Sequence, residues 1–250
     1  ASLDNLLGEF EMLLSITEYN DIQKMREHIV KADGLLTHTV KFLDTRSSWT
    51  FGSPSVLYMF YRKAGMLEAE VKNLEEAASL YIRLTNGHGA GAASIMEAER
   101  DFNRGDFDSA EISVYKALYP ADSHGQGDII IGAMFLQARI AVMSGSYSYA
   151  LYILKKMQEE MSRKRWYNLM YTVDLCDAFI HAELKQYEKI PLWIKEGSLN
   201  SSRVYYPVKG FFNIIYGRVL LISGEYLKLL GLSEQHIADS SVFPNLLGQI

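Results

Sequence analysis

Asn103-Arg104-Gly105-Asp106-Phe107-Asp108-Ser109-Ala110 is the stretch on which the fold turns, because the chain returns to its frame forty residues later as Met143-Ser144-Gly145-Ser146-Tyr147-Ser148-Tyr149-Ala150. The frame holds again in Glu183-Leu184-Lys185-Gln186-Tyr187-Glu188-Lys189-Ile190, and thirty-nine residues further on in Ile222-Ser223-Gly224-Glu225-Tyr226-Leu227-Lys228-Leu229. Each block reads as the corner of a helical hairpin. A glycine or lysine ends one helix, an aromatic residue plugs the corner, and a small or apolar residue packs the returning helix on the first.

Working outward, small residues recur at Ala98, Ala138, Ala178 and Gly217, where two antiparallel helices must approach closely. Ala117 is a second small position, replaced later by Met157 and Gly197. This order resembles the tetratricopeptide repeat, with a period longer than the usual value of about thirty-four, which implies longer helices or longer loops. Prolines number five, most segments space apolar residues at three and four, and none reads as a strand. The expected fold is all-α, a right-handed superhelix of about five stacked hairpins, regular over 94–242. Residues 1–93 read as less regular hairpins. Helices near 3–18 and 22–43 flank a degenerate corner at Tyr19-Asn20-Asp21, and a second pair covers 57–65 and 67–85. A turn-rich loop over 44–54 separates the two. Residues 243–250, with Pro244 near a first helical turn, read as the start of a truncated next repeat, and the chain as a piece of a longer polypeptide.

Composition narrows the function. The 250 residues are 48% hydrophobic, carry a net charge of -5, and hold no basic cluster beyond Arg163-Lys164-Arg165, so direct nucleic-acid binding is not expected. The single cysteine, Cys176, excludes a disulfide framework and reads as a buried thiol. No apolar run reaches the roughly 18 to 20 residues of a membrane span, and no signal peptide precedes the repeats. A soluble, cytoplasmic protein is expected.

Several stretches go beyond the generic repeat. Thr50-Phe51-Gly52-Ser53-Pro54-Ser55-Val56-Leu57-Tyr58, Leu84-Thr85-Asn86-Gly87-His88-Gly89-Ala90-Gly91-Ala92, and Ala98-Glu99 followed by Asn103-Arg104-Gly105-Asp106-Phe107 resemble the sensor region of MalT-like, ATP-dependent transcriptional regulators of the LuxR type. The resemblance implies a parent protein with an N-terminal nucleotide switch, a superhelix that receives the signal, and a C-terminal helix-turn-helix. Only the superhelix is matched. No phosphate loop and no basic recognition helix occur in this segment, so no cofactor is expected here and ATP belongs to the parent alone.

Catalytic readings are weak. Gly87-His88-Gly89-Ala90-Gly91 lacks the preceding strand and the lysine of a nucleotide site, and reads as a helix start whose small residues permit close packing. The six histidines show no three- or four-residue pairing for a metal, and the acid pairs Glu75-Glu76 and Glu159-Glu160 diverge around their helices. Neither an enzyme nor a metal site is expected.

Recognition is left to the concave wall. Counting from each small packing residue, the groove positions are Ile95, Glu99, Phe102 and Asn103; Phe135, Arg139, Val142 and Met143; Leu175, Phe179, Ala182 and Glu183; Ile214, Arg218, Leu221 and Ile222. Glu99, Phe102, Asn103, Phe135, Arg139, Phe179 and Arg218 are the candidate ligand-binding residues, with Arg139 first for specificity. The expected partner is a small-molecule inducer or regulatory protein, together with the parent's other domains. The competing reading is a scaffold for an extended peptide or helix. A closed cavity favours the former and a long open channel the latter.

Overall fold

The computed structural model describes residues 2–18, 20–43, 47–199, 206–242 and 244–249. Tyr19 of the degenerate corner, residues 44–46 of the turn-rich loop, and Phe243 and Ile250 of the C-terminal segment lie outside the described residues. The described chain is all-helical, with helices packed in adjacent pairs. In order they are α1 (Leu3–Thr17), α2 (Ile22–Leu35), α3 (Val56–Phe60), α4 (Leu67–Leu84), α5 (Ala92–Asn103), α6 (Phe107–Ser123), α7 (Gly127–Met143), α8 (Tyr147–Arg163), α9 (Met170–Glu183), α10 (Leu192–Lys195), α11 (Lys209–Ser223), α12 (Tyr226–Val242) and α13 (Leu246–Gln249). No described helix is long and apolar enough to cross a membrane.

All four repeated corners share one hydrogen-bond pattern. The residue after the helix takes a left-handed conformation, at φ +80° for Gly105, +73° for Gly145, +56° for Lys185 and +78° for Gly224. Its N–H and that of its successor then reach back to carbonyls left orphaned by the helix end, as in Gly145 to Val142 (3.0 Å) and Ser146 to Ala141 (2.8 Å). The turns between hairpins use the same device at Gly125 and Arg165. Helices α7 and α8 have 17 residues each and are joined by residues 144–146, so the forty-residue period comes from long helices, not long loops.

Ala98, Ala138, Ala178, Ala110 and Ala150 are wholly buried, and Ala117 and Met157 beside them. The corner aromatics behave differently from expectation. Phe107 packs on Phe102, with ring centroids 5.5 Å apart, but Tyr147 is 53% and Tyr226 65% exposed. Backbone hydrogen bonds already close both turns, with Ala150 packed three positions after Tyr147 and Leu229 three after Tyr226, so no aromatic plug is needed there. Gly217 also needs no special closeness, since a Cβ there would meet Leu229 at an ordinary 3.4 Å.

Four segments depart from the sequence reading. Helix α2 stops at Leu35, and the chain leaves it through an extended Leu36 and a bend at 37–38 before the Val40 N–H bonds the Leu84 carbonyl at 2.8 Å. Of 57–65 only the one-turn α3 is helical. After α9 the corner forms, but the returning helix does not. Pro191 holds Ile190 extended at ψ 134°, leaving a 3-10 turn (Tyr187–Lys189) and the four-residue α10. The loop over 47–55 is largely buried rather than a surface connection. Its Thr50 N–H and Ser48 hydroxyl donate to Asp128 at 2.7 and 3.0 Å, and Thr172 donates to the Gly52 carbonyl at 2.9 Å. These partners satisfy the loop's polar groups where water is excluded, and so α3 is delivered into the interior.

Candidate functional site

Helices α3, α5, α7, α9 and α11 neighbour one another in that order and form an inner row, while α6 and α8 lie behind their hairpin partners and α12 turns one face to the same space as the row. The forty-residue register therefore sets equivalent residues side by side on one wall. The C-terminal segment folds back over it. Helix α13 packs on α11 and α12, the Leu246 N–H donates to the Tyr61 carbonyl at 2.9 Å, the Asn245 amide donates to the Tyr58 carbonyl, and the Asn20 amide donates to the Pro244 carbonyl at 3.1 Å. A cavity of about 580 Å³ is left between the wall and this closure.

Glu99, Asn103, Arg139, Phe179 and Arg218 all line the cavity. Phe102 and Phe135 lie directly behind it, as supports of Arg139. The Arg139 guanidinium carbon stands 4.4 Å from the centre of the Phe102 ring, 5.6 Å from Phe179 and 5.7 Å from Phe135. Arg218 covers Phe179 at 4.2 Å and pairs with Glu183 at the rim. Phe135 meets Phe179 edge-on at 5.2 Å, and Phe179 stacks on Phe211 at 6.0 Å with 12° between planes. Rings of α7, α9 and α11 thus touch one another beneath the two cations, and the Phe102 ring of α5 adds a further face under Arg139.

Glu99 does not form an ion pair with Arg139, and no carboxylate of the described residues lies within 4 Å of that guanidinium. Its carboxylate instead accepts the Leu57 N–H at 2.8 Å, at the first turn of α3. At 2% exposure, burial pushes its pKa up, opposed by hydrogen bonds from Leu57 and Ser55 and by the charge of Arg139. Burial lowers the Arg139 pKa, opposed by Glu99. For Arg218 burial and the nearby charge of Arg139 act together in the lowering direction.

Of the positions three before each small residue, Ile214 lines the cavity and the other three do not. Ile95 and Leu175 are buried at 1% and 0% between inner helices, as is Phe135 at 1%, because α3 and the ring of Phe211 cover that edge of the row. Met143, at 62% exposure, points to open solvent. Tyr58, Phe211, Asn213 and His236 line the cavity but were invisible to the repeat register. Tyr58 arrives on the buried loop and α3, and His236 on α12, so neither shares the first-helix spacing. His236 is buried, its Nε2 has no hydrogen-bond partner, and burial lowers its pKa.

The other chemistry-bearing motifs are absorbed by packing. In the glycine-rich turn the N–H of Gly89 donates to Gln126 at 2.6 Å, and a Cβ on Gly91 would stand 2.7 Å from the Ala117 carbonyl oxygen. Only glycine fits there, and the backbone N–H groups of Gly87, Ala90 and Ala92 bond carbonyls. Cys176 is fully buried, which pushes its thiol well above the ordinary range and keeps it protonated. Among the described residues no cluster of His, Cys, Asp or Glu is arranged to hold a metal ion. No protein-family model, curated protein or solved structure matches the chain.

Proposed function

We propose that this chain is a signal-sensing helical-repeat module, the superhelix of a LuxR-type, ATP-dependent transcriptional regulator, and that a small inducer in the inner cavity biases the parent molecule between its states. One observation carries the sensing reading. Arg139 stands over three aromatic rings in a cavity of about 580 Å³, with no carboxylate of the described residues paired to it. That volume is within the range of about 300 to 1,000 Å³ used by small-ligand sites. The closure of α13 against α3 favours a compact ligand over an extended peptide, which needs a channel open at both ends.

Ligand entry has a mechanical consequence in this arrangement. The cavity is walled by α5, α7, α9 and α11 on one side and by α12 and α13 on the other, so a molecule that touches both favours one setting of the C-terminal segment against the inner row. Such differential contact is what a two-state sensor requires. Calorimetric titration of wild type and Arg139→Ala with compounds that raise the melting temperature tests the assignment. The expected loss is about 1.5 to 3 kcal/mol, the scale of a hydrogen bond to a charged group. Equal affinities refute it. The isolated chain is also expected neither to turn over ATP nor to shift duplex DNA specifically, and either activity counts against the placement in the parent regulator.

A further inference from the structure

The charge balance of the cavity points to a ligand class, an inference that rests on the small-molecule reading above. We infer that the cavity takes an anionic ligand, a carboxylate or phosphate carried on an apolar or aromatic body, with the anion at Arg139 and Arg218 and the body against Phe179 and Phe211.

Both guanidinium groups line the same cavity and both lie against the Phe179 ring, at 5.6 and 4.2 Å from its centre. Arg139 has five N–H donors, yet no described side chain or carbonyl accepts from them. Among the described residues the polar partner of Arg218 is Glu183 at the rim, where the two side chains are 36% and 39% exposed. An ion pair so exposed is readily exchanged for a bound anion. Among the described residues the one carboxylate that lines the cavity is Glu99, and it is turned onto the backbone of α3.

Among the described residues the wall therefore carries two arginines and a single acid, whose carboxylate is committed to α3. Burial disfavours the charged form of both arginines, and at Arg218 the charge of Arg139 adds to it, as their lowered pKa values reflect. An incoming anion removes both penalties, and planar guanidinium groups match carboxylate and phosphate oxygens. A neutral polyol finds hydrogen-bonding groups at Asn103, Asn213 and His236 but leaves both guanidinium charges uncompensated. The parallel rings of Phe179 and Phe211 supply an apolar surface continuous with Ile214, Leu229 and Leu232.

Matched pairs of probes decide the matter: 3-phenylpropionate against 3-phenylpropionamide, and phenyl phosphate against phenol, titrated into wild type, Arg139→Gln, Arg139→Lys and Arg218→Gln. Circular dichroism and melting curves verify that each variant is folded, and Arg139→Lys keeps the charge if the glutamine variant does not fold. The acid and the phosphate ester should bind at least tenfold more tightly than their neutral partners. Arg139→Gln should remove most of that preference, Arg218→Gln part of it, and Arg139→Lys should retain some. If the amide and phenol bind as tightly as the charged members, or if the variants bind the acids unchanged, the anion assignment falls while the small-molecule cavity stands. If no probe of either charge binds at millimolar concentration, both fall.

Discussion

Substituting Gly145 by alanine isolates the backbone term on which the repeat is built. A Cβ at Gly145 meets nothing within 4 Å, so the substitution introduces no clash and removes no contact. What remains is its φ of +73°, a left-handed conformation that costs an L-residue about 1 to 2 kcal/mol. The unfolded chain loses freedom when glycine becomes alanine, which returns about 0.4 to 1 kcal/mol. The net loss is about 0.5 to 1.5 kcal/mol, a fall of a few degrees in the melting temperature at about 2 to 4 °C per kcal/mol. Lys185 occupies the equivalent position at φ +56° and supplies the reverse experiment, because Lys185→Gly relieves the same strain and should be neutral to stabilising by up to about 1 kcal/mol. Thermal melting by circular dichroism, with hydrogen exchange to localise the effect to α7–α8 or to α9, reads both variants. A neutral Gly145→Ala together with a destabilising Lys185→Gly refutes the shared-corner account.

Two further outcomes follow from packing and charge. Ala138 is wholly buried in α7, so Ala138→Leu should destabilise the chain by roughly 1 to 3 kcal/mol through overpacking; an unchanged melting curve means the helix crossing is misplaced. His236, with Asp239 and Lys209 nearby, has a pKa lowered from 6.5 chiefly by burial, so the unfolded chain binds more protons and stability falls as pH drops below about 6.5. His181 has the opposite sign. Its hydrogen bond to Asp177 raises its pKa, and its contribution, complete below about 6.5, is lost as pH rises through the folded value. His236→Gln should flatten the acid limb alone, and an acid limb identical to wild type contradicts the assignment.

The repeat was legible because its corners depend on local chemistry. Glycine at 105, 145 and 224 and a residue able to enter the left-handed region at 185 are visible in the chain, and each brings the same turn. The wall was legible for the same reason, since a fixed period carries Glu99, Arg139, Phe179 and Arg218 to one face. The closing side was not. Residues 47–55 have the composition of a surface loop, and it is distant partners such as Asp128 and Thr172 that let them be buried. The contacts of 244–249 with Asn20, Tyr58 and Tyr61 join parts of the chain far apart in sequence, where periodicity carries no signal. At α10, Pro191 was in plain view, yet the corner before it matched so well that a returning helix was expected.

The central claim is that a compact ligand enters the cavity at Arg139. Its most direct test is NMR of the arginine Nε–Hε groups and of the Phe179 ring during titration with 3-phenylpropionate and phenyl phosphate. The account predicts saturable shifts at Arg139, Arg218 and Phe179, with none at Tyr115 and Tyr149 on the outer helices α6 and α8, which are 54% and 51% exposed. Shifts confined to the outer face, or binding that leaves the Arg139 signal unmoved, contradict it.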